Sequence, residues 1–343
     1  MEVSYPFQWN NNDGEKEYKM RTVLITGIAG FIGFHTALKY KKYGFKVVGC
    51  DNFNGYYDPE LKKARAKTLS ENDISVVDLD IFLQKQSLKL FVSASCPDLV
   101  IHLAAMAGVR HSLNNPSDYI GANIVGSQNL IEACEDLTRS PDVIFASTSC
   151  VMHGNPLPWN ENDKLGEHLS PYGYTKANTE QQFRLSKIKN VVGLRFFTVY
   201  GPWGRPDMAL FDFTRKILNG ESIPIFNFGN MKRDFTYIDD IVKGIFIVSN
   251  NMTPRDIYCL GNGNQVDLME FIHHIEDTLG TKGTYDFQPR HPADAKETWS
   301  DITKIRKLGY EPETQIKEGV RNFVEWYVDY YKHEIRYGYQ LNE

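Results

Sequence analysis

A tyrosine and a lysine four positions apart, Tyr172 and Lys176, are the residues whose chemistry stands out first. They follow Pro171, which favours the first turn of a helix, and this spacing places both side chains on one helical face. A tyrosine hydroxyl has an ordinary pKa near 10, and a neighbouring ammonium group lowers that pKa. We therefore expect Tyr172 to act as a general base towards a hydroxyl group, supported by Lys176. A surface tyrosine beside a solvated lysine would show the same spacing, so the interpretation depends on where the fold places the pair.

Hydroxyl side chains lie upstream in the run Ser147-Thr148-Ser149-Cys150, at the end of an apolar segment that predicts a strand. In open α/β sheets the carboxyl ends of the strands face the ligand crevice. A hydroxyl there can hydrogen-bond both the reacting oxygen and Tyr172, and we select Ser149 for this role. A serine- and threonine-rich turn without chemistry is the alternative for any one of these hydroxyls.

Three glycines, Gly27, Gly30 and Gly33, predict a cofactor site between the first predicted strand and the following helix. The first permits a tight turn, the second lets backbone approach a pyrophosphate, and the third lets the helix pack on the strand. Asp51 ends the second strand, where a carboxylate would bind ribose hydroxyls and repel a 2′-phosphate, so NAD is favoured over NADP. Asp78 follows the third strand and is a candidate adenine contact. A loop-capping aspartate and a plain turn aspartate are the respective alternatives.

The elements that must position these residues follow a β-α-β rhythm from Arg21 onwards. Short apolar runs alternate with helical segments, and their continuous rather than alternating hydrophobicity is typical of strands buried on both faces. The pattern predicts an α/β fold, a doubly wound parallel sheet with helices on both sides. The six predicted strands are 23–25, 46–50, 74–77, 99–103, 143–146 and 191–195, and a helix is predicted over 34–43.

Composition excludes several other classes of protein. The 343 residues are 42% hydrophobic and 24% charged, as in a globular protein of about two domains. The net charge of −5 argues against affinity for nucleic acid, and no apolar run reaches the ~18 residues of a membrane span. The five cysteines are dispersed without a CxxC or Cys/His cluster, so we expect no metal site and reduced thiols in a cytoplasmic protein. Residues 1–19 lack an apolar period and are predicted to be a polar tail.

Further motifs occur in order: His102-Leu103-Ala104-Ala105, Asn123-Ile124-Val125-Gly126, Ser149, and the Tyr172 and Lys176 pair. Together with the glycine motif they resemble the extended short-chain dehydrogenase/reductases that modify nucleotide sugars, over about residues 20–332. The closest similarity is to the UDP-glucuronate 4-epimerases. The segments that carry it are 51–58, 107–110, 194–209 and 233–240.

This resemblance implies a Rossmann-type domain and a smaller mixed α/β C-terminal substrate lobe. The cofactor domain would comprise 20–196 plus about 234–262, and the UDP-sugar lobe about 197–233 plus 263–343. The resemblance also implies a homodimer. The implied reaction interconverts UDP-glucuronate and UDP-galacturonate: NAD oxidises carbon 4 of the sugar, Tyr172 removes the hydroxyl proton, and the 4-keto sugar turns before it is reduced on its other face.

The resemblance further implies which residues contact each ligand. Ser149, Tyr172 and Lys176 would be catalytic. The implied cofactor-binding residues are Gly27, Gly30, Phe31, Ile32, Gly33, Asp51, Asn52, Asp78, Leu79, Leu103, Ala104, Ala105, Asn123, Tyr172 and Lys176. The implied substrate-binding residues are Arg110, Ser149, Cys150, Thr198, Arg205, Met208, Arg233 and Asp294.

The chain departs from the family pattern near the sugar. Cys150 replaces a hydroxyl, Met106 a glutamine, Ala293 a glycine and His153 a tyrosine. Epimerisation of UDP-glucose or UDP-N-acetylglucosamine therefore stays open as an alternative substrate assignment. A catalytically silent NAD- and UDP-sugar-binding regulator is the alternative of a different class. Dehydratase and decarboxylase interpretations require an acid after the catalytic hydroxyl, where Cys150 and Val151 stand.

Overall fold

A seven-stranded parallel sheet forms the framework of the computed structural model, which describes residues 20–332. The predicted polar tail 1–19 lies outside the described residues. Numbered along the chain, the sheet strands are β1 (Thr22–Thr26), β2 (Lys46–Asp51), β3 (Ser75–Asp78), β4 (Leu99–His102), β5 (Asp142–Thr148), β6 (Val191–Phe196) and β11 (Asp256–Leu260). Their spatial order is β11-β6-β5-β4-β1-β2-β3.

The strand order reverses at β1, which pairs with β2 on one side and β4 on the other. Thr26 at the end of β1 is in register with Cys50 of β2 and His102 of β4. The chain crosses to opposite faces of the sheet at this point and leaves a crevice beyond the carboxyl ends of the strands. Ligands of open α/β sheets bind at such a switch point.

Alternate residues of each strand belong to cores on opposite faces of the sheet, because strand side chains alternate in direction. Leu24 packs in one core with Val100 of β4 and Phe183. Val23 and Ile25 belong to the other core. The helices and helical turns of the chain up to residue 185 are α1 (Phe31–Lys42), α2 (Pro59–Glu71), α3 (Lys85–Ser95), α4 (Val109–Asn114), α5 (Pro116–Tyr119), a π-helix (Ile120–Val125), α6 (Gly126–Glu135), a 3-10 turn (Ser149–Met152) and α7 (Pro171–Leu185).

Three small two-stranded sheets lie outside the seven-stranded sheet. Strand β7 (Thr198–Tyr200) pairs with β10 (Phe235–Tyr237), β8 (Ser222–Phe226) with β13 (Thr284–Gln288), and β9 (Lys232–Arg233) with β12 (Val266–Asp267). The remaining helices and helical turns are α8 (Ala209–Asn219), a 3-10 turn (Asn227–Gly229), α9 (Ile238–Ser249), α10 (Leu268–Leu279), α11 (Thr303–Arg306) and α12 (Ile316–Tyr330).

The predicted α/β class and parallel sheet are confirmed, with differences at the ends of elements. Helix α1 begins at Phe31 rather than residue 34, because Gly30 already has the extended backbone of an N-cap. The seventh strand, β11, is missing from the six predicted strands and pairs with β6 at the sheet edge. It lies within the segment 234–262 that the sequence assigns to the cofactor domain, and the domain division itself stays a prediction. None of the helices described between residues 20 and 332 is long and apolar enough to cross a bilayer.

Candidate active site

One large cavity, of about 1000 Å³, opens between the carboxyl ends of the sheet strands and the C-terminal lobe. It is lined by all but two of the residues predicted to bind cofactor or substrate or to act in catalysis; Asp78 and Asn123 are the exceptions. The fold therefore collects side chains that are far apart in the sequence, from Gly27 near the start to Asp294 in the last third.

The glycine turn has the shape that a dinucleotide requires. Gly27 adopts a φ of +71°, and a Cβ atom on it would lie 2.7 Å from the backbone nitrogen of Ala104. A Cβ on Gly33 would collide with the carbonyl oxygen of Gly27. Only glycine accommodates both close approaches, and the resulting turn presents backbone at the N-terminus of α1, where a pyrophosphate is stabilised by helix N–H groups. The residues present thus fit a dinucleotide cofactor.

Asp51 lines the cavity next to the glycine turn. Its Oδ2 accepts a hydrogen bond from the Ala29 backbone N–H at 3.2 Å and its Oδ1 one from Phe53 at 3.0 Å. A carboxylate offers about four acceptor positions, so both oxygens retain capacity for ribose hydroxyls. Burial raises the pKa of Asp51, and the nearby Lys62 ammonium opposes that rise. Lys62, which sequence reasoning missed, also lines the cavity.

The structure does not bring Asp78 into the cavity. Asp78 ends β3 with an exposed side chain, whereas Asp80, two residues later, lines the cavity beside Leu79. The Asn52 amide donates to the Asp80 carboxylate at 2.8 Å. Asp80 is therefore the acidic residue that the fold places at this end of the site.

Asn123 is buried in the π-helix, behind the cavity wall rather than on its surface. Its side chain accepts a hydrogen bond from the Met106 backbone N–H at 2.8 Å and donates to the Met106 carbonyl at 3.0 Å. It also donates to the Thr175 hydroxyl of α7 at 3.0 Å. Asn123 thus fixes the loop after β4 against the helix that carries Tyr172, without contacting the cavity.

Helix α7 presents Tyr172 and Lys176 to the cavity, as the spacing predicts. It begins at Pro171, and the Ser170 hydroxyl caps it by accepting the Gly173 N–H at 3.3 Å. The Lys176 ammonium donates to the Ala146 carbonyl of β5 at 2.9 Å. Burial lowers the pKa of Lys176 to about 8, so the group is close to its titration point at neutral pH.

The environment of Tyr172 opposes its ionisation unless positive charge is close. Burial raises the pKa of Tyr172 to about 12, and the adjacent Cys150 adds to that rise. A side-chain hydrogen bond with Thr148 lowers the pKa. The Thr148 oxygen accepts the Cys150 backbone N–H at 3.3 Å, which leaves the Thr148 proton available for the phenol oxygen.

The three hydroxyls at the carboxyl end of β5, on Ser147, Thr148 and Ser149, therefore have different contacts. Ser149, selected from the sequence, lies in the 3-10 turn and lines the cavity. Thr148, which we did not select, also lines the cavity, and its hydroxyl is close enough to Tyr172 to lower the pKa of that phenol. Ser147 donates to the buried Glu180 carboxylate at 2.6 Å. The signal for Thr148 was present in the sequence, since all three hydroxyls end one predicted strand.

Arg205 also lines the cavity, where it is bound to other protein groups. Its guanidinium donates to both Asp207 oxygens, at 3.0 and 2.5 Å, and to the Ala107 carbonyl at 2.9 Å. The Tyr56 hydroxyl donates to the same Asp207 carboxylate at 2.8 Å. Tyr56 and Asp207 were missed as site residues, although both belong to the segments that carry the family resemblance.

Two further predicted substrate residues contact each other across the cavity. Arg110 of α4 donates to the Asp294 carboxylate at 2.5 Å, and its guanidinium lies 3.9 Å from the centre of the Phe226 ring. Arg233 instead donates to backbone carbonyls, at 2.9 Å to Lys296 and 2.7 Å to Ala295.

Thr198, Cys150 and Met208 also line the cavity. The Thr198 backbone N–H donates to the Asp234 carbonyl at 3.1 Å. Burial raises the pKa of the Cys150 thiol, so this group is neutral and a weak hydrogen-bond donor at physiological pH.

Comparison with known proteins assigns this geometry to a family. Residues 23–261 match the model of the NAD-dependent epimerase/dehydratase family. The chain belongs to this family. UDP-glucuronate 4-epimerase 4 of Arabidopsis thaliana is 41% identical over 333 residues, which is 90% of this chain and 76% of that protein. Protein CapI of Staphylococcus aureus is 40% identical over 333 residues, 90% of this chain and 99% of that protein.

The fold of this chain also occurs in a solved structure. The UDP-glucuronic acid 4-epimerase of Bacillus cereus, in complex with UDP-glucuronic acid and NAD, superposes with a TM-score of 0.84 at 32% identity. The alignment covers 90% of this chain and all of that chain. The predictions of an NAD-dependent enzyme, of NAD as its cofactor and of the nucleotide-sugar epimerase family are confirmed at this level.

Proposed function

We propose that this protein is a UDP-glucuronate 4-epimerase that interconverts UDP-glucuronate and UDP-galacturonate. The observation that carries the proposal is the shared cavity. It is lined by the glycine turn, by Asp51, by Tyr172 and Lys176, and by three arginines. The relatives from Arabidopsis thaliana and Bacillus cereus are UDP-glucuronate 4-epimerases by name and align over most of both chains, which supports the same substrate here.

NAD, when bound, supplies a reversible hydride acceptor for carbon 4 of the sugar. Tyr172 takes the proton of the 4-hydroxyl and later returns it. The protonated Lys176 and the Thr148 hydroxyl stabilise the phenolate, and Ser149 holds the reacting oxygen. Asp51 binds the ribose of the cofactor, and the nucleotide end is held by Arg233 with Asp294 and Arg110.

A ketone at carbon 4 makes the carboxylate of the sugar part of a β-keto acid, which can lose carbon dioxide. The carboxylate must therefore be held away from the alignment that favours decarboxylation. Ser149 and Thr198 supply hydroxyls for this task, and Arg205 supplies a nearby cation. Cys150 favours the second candidate, epimerisation of a neutral UDP-sugar, because its neutral thiol stands where a hydroxyl would help to bind the carboxylate.

The test is to incubate the purified protein with UDP-glucuronate, without added NAD, and to follow the products by proton NMR. We expect UDP-galacturonate without a UDP-pentose, which would also show that NAD is retained. A UDP-pentose would mean that decarboxylation dominates. Turnover of UDP-glucose or UDP-N-acetylglucosamine alone would support the second candidate. Binding of NAD and UDP without turnover of any sugar, even with added NAD, would indicate a silent regulator.

A further inference from the structure

A buried ion pair lies one helical turn beyond Lys176. Arg195 of β6 donates to both oxygens of Glu180 on α7, at 2.9 and 3.0 Å, and the two side chains are only 4% and 3% exposed. Ser147 of β5 donates to Glu180 as well, at 2.6 Å. Since Lys176 is anchored to Ala146, the neighbour of Ser147, the lysine and the glutamate of α7 are fixed to consecutive residues of one strand.

Stability alone is a weak reason for such a pair. Removing two charges from water is costly, and well-packed apolar side chains often replace a buried ion pair without loss of stability. The Arg195 pair is moreover imperfect, because its buried Nη1 has no hydrogen-bond partner among the described residues. Glu180 does not line the cavity, so it cannot contact cofactor or substrate directly.

The charge on Lys176 depends on what surrounds it. Strand β4 presents His102. Burial lowers the pKa of His102 to about 3, so its imidazole is neutral. The turn after β5 presents the protonated Cys150 thiol, and α5 presents Tyr119, whose ring contacts Tyr172. The π-helix, α6 and the strand end of β5 present uncharged groups, namely Asn123, Ser127 and Thr148. The anion that raises the pKa of the buried ammonium is Glu180, with Arg195 as its counterion.

We propose that Glu180 is a positioning residue of the reaction, whose carboxylate keeps the Lys176 side chain protonated and aligned beneath Tyr172. The proposal rests on the proposed roles of Tyr172 and Lys176. Burial favours the neutral amine, and an opposite charge within one helical turn restores the ammonium. The ammonium in turn lowers the barrier to forming the phenolate.

Loss of the Glu180 carboxylate should make Lys176 lose its charge at a lower pH. Lys176 is charged below its pKa, and Glu180 raises that pKa, so the substitution Glu180→Gln lowers the pH at which the charge is lost. We expect the alkaline limb of the kcat profile for UDP-glucuronate to move down by about one pH unit. The KM of the Glu180→Gln variant near neutral pH should stay within about twofold of the wild-type KM, because Glu180 does not reach the cavity.

A second readout does not require turnover. Cyanate carbamylates an amine only in its neutral form and is small enough to enter the cavity that Lys176 lines. Peptide mass spectrometry would give the pH midpoint of Lys176 carbamylation in the purified protein. Glu180→Gln should lower this midpoint by about one unit as well.

Two further variants separate positioning from a structural role. Glu180→Gln leaves Arg195 as an unpaired buried cation, so the double variant Glu180→Gln/Arg195→Met removes both charges and should restore folding while retaining the lowered midpoint. Ser147→Ala is the matched control, since it removes one hydrogen bond to Glu180 but keeps the carboxylate, and its midpoint should equal that of the wild type.

An unchanged Lys176 midpoint in the folded double variant would overturn the proposal, and so would an equal shift in Ser147→Ala. If the wild type converted no UDP-sugar, the proposed function would fail, whereas the carbamylation midpoint would still decide the role of Glu180.

Discussion

Replacing Thr148 by valine removes the hydroxyl that lowers the pKa of Tyr172, and it conserves the shape of the side chain. We expect this hydroxyl to donate a hydrogen bond to the Tyr172 oxygen during the reaction. Thr148 is 6% exposed, so water does not readily substitute for the lost hydroxyl. A hydrogen bond to a charged group contributes about 1.5–3 kcal/mol, and it is strongest when Tyr172 is a phenolate. Because each 1.36 kcal/mol changes a rate tenfold, we expect kcat to fall by about 10- to 150-fold.

The assay is the initial rate of UDP-galacturonate formation at saturating UDP-glucuronate, for Thr148→Val and for Ser149→Ala. Binding of UDP should be unchanged in Thr148→Val, since the hydroxyl faces Tyr172. The Cys150 N–H loses its acceptor, which costs about 1 kcal/mol of stability and is checked by thermal unfolding. The reasoning would be refuted if the folded Thr148→Val enzyme kept a kcat within twofold of the wild type while the Ser149→Ala enzyme was inactive. Ser149 would then be the one catalytic hydroxyl.

Three further predictions concern the catalytic base Tyr172, the binding of the sugar carboxylate and the oligomeric state. Tyr172→Phe should abolish turnover while calorimetry shows nearly unchanged UDP binding, and retained turnover would remove Tyr172 as the base. Thr198→Asn should lower kcat/KM for UDP-glucuronate more than for UDP-glucose; equal losses would contradict its role at the carboxylate. The exposed apolar side chains Ile120, Val125 and Tyr174 lie on the π-helix and α7, which contact each other. We infer a homodimer through this face, so Ile120→Lys should produce a monomer in light scattering, whereas a monomeric wild type would contradict the inference.

The sheet could be predicted because most of its strands are continuous apolar runs. β1 is buried along its whole length, as its uninterrupted apolar run Val-Leu-Ile indicates. β11 escaped prediction because its run Asp-Ile-Tyr-Cys-Leu mixes polar and apolar residues, and it joins the sheet only through its pairing with β6. The pairs β8 with β13 and β9 with β12 unite segments far apart in the chain, so no local pattern indicates their register.

Site residues could be predicted where their chemistry depends on spacing within one short segment. They could not be predicted where it depends on contacts between segments far apart in the chain. The glycine turn and the tyrosine–lysine pair are each defined within a few residues. Asp78 and Asp80 are both acids after β3, and the turn geometry decides which of them reaches the cavity. Thr148 and Ser149 are adjacent in the sequence, so the influence of Thr148 on Tyr172 became evident only once the backbone path at the end of β5 was fixed.

The charges at the substrate end suggest how a carboxylate would be held there. Arg110 is paired with Asp294 and Arg205 with Asp207, whereas Arg233, alone among these three arginines, donates to backbone carbonyls rather than to a carboxylate. Arg233 therefore offers the least compensated positive charge of the three, as a diphosphate requires. The sugar carboxylate would meet an Arg205 that is already neutralised, and hydroxyls such as those of Ser149 and Thr198 would carry more of its binding. Hydroxyl contacts are weaker than an ion pair in a site of low dielectric constant, which would hold the carboxylate and still let the 4-keto sugar turn between its two reducible faces.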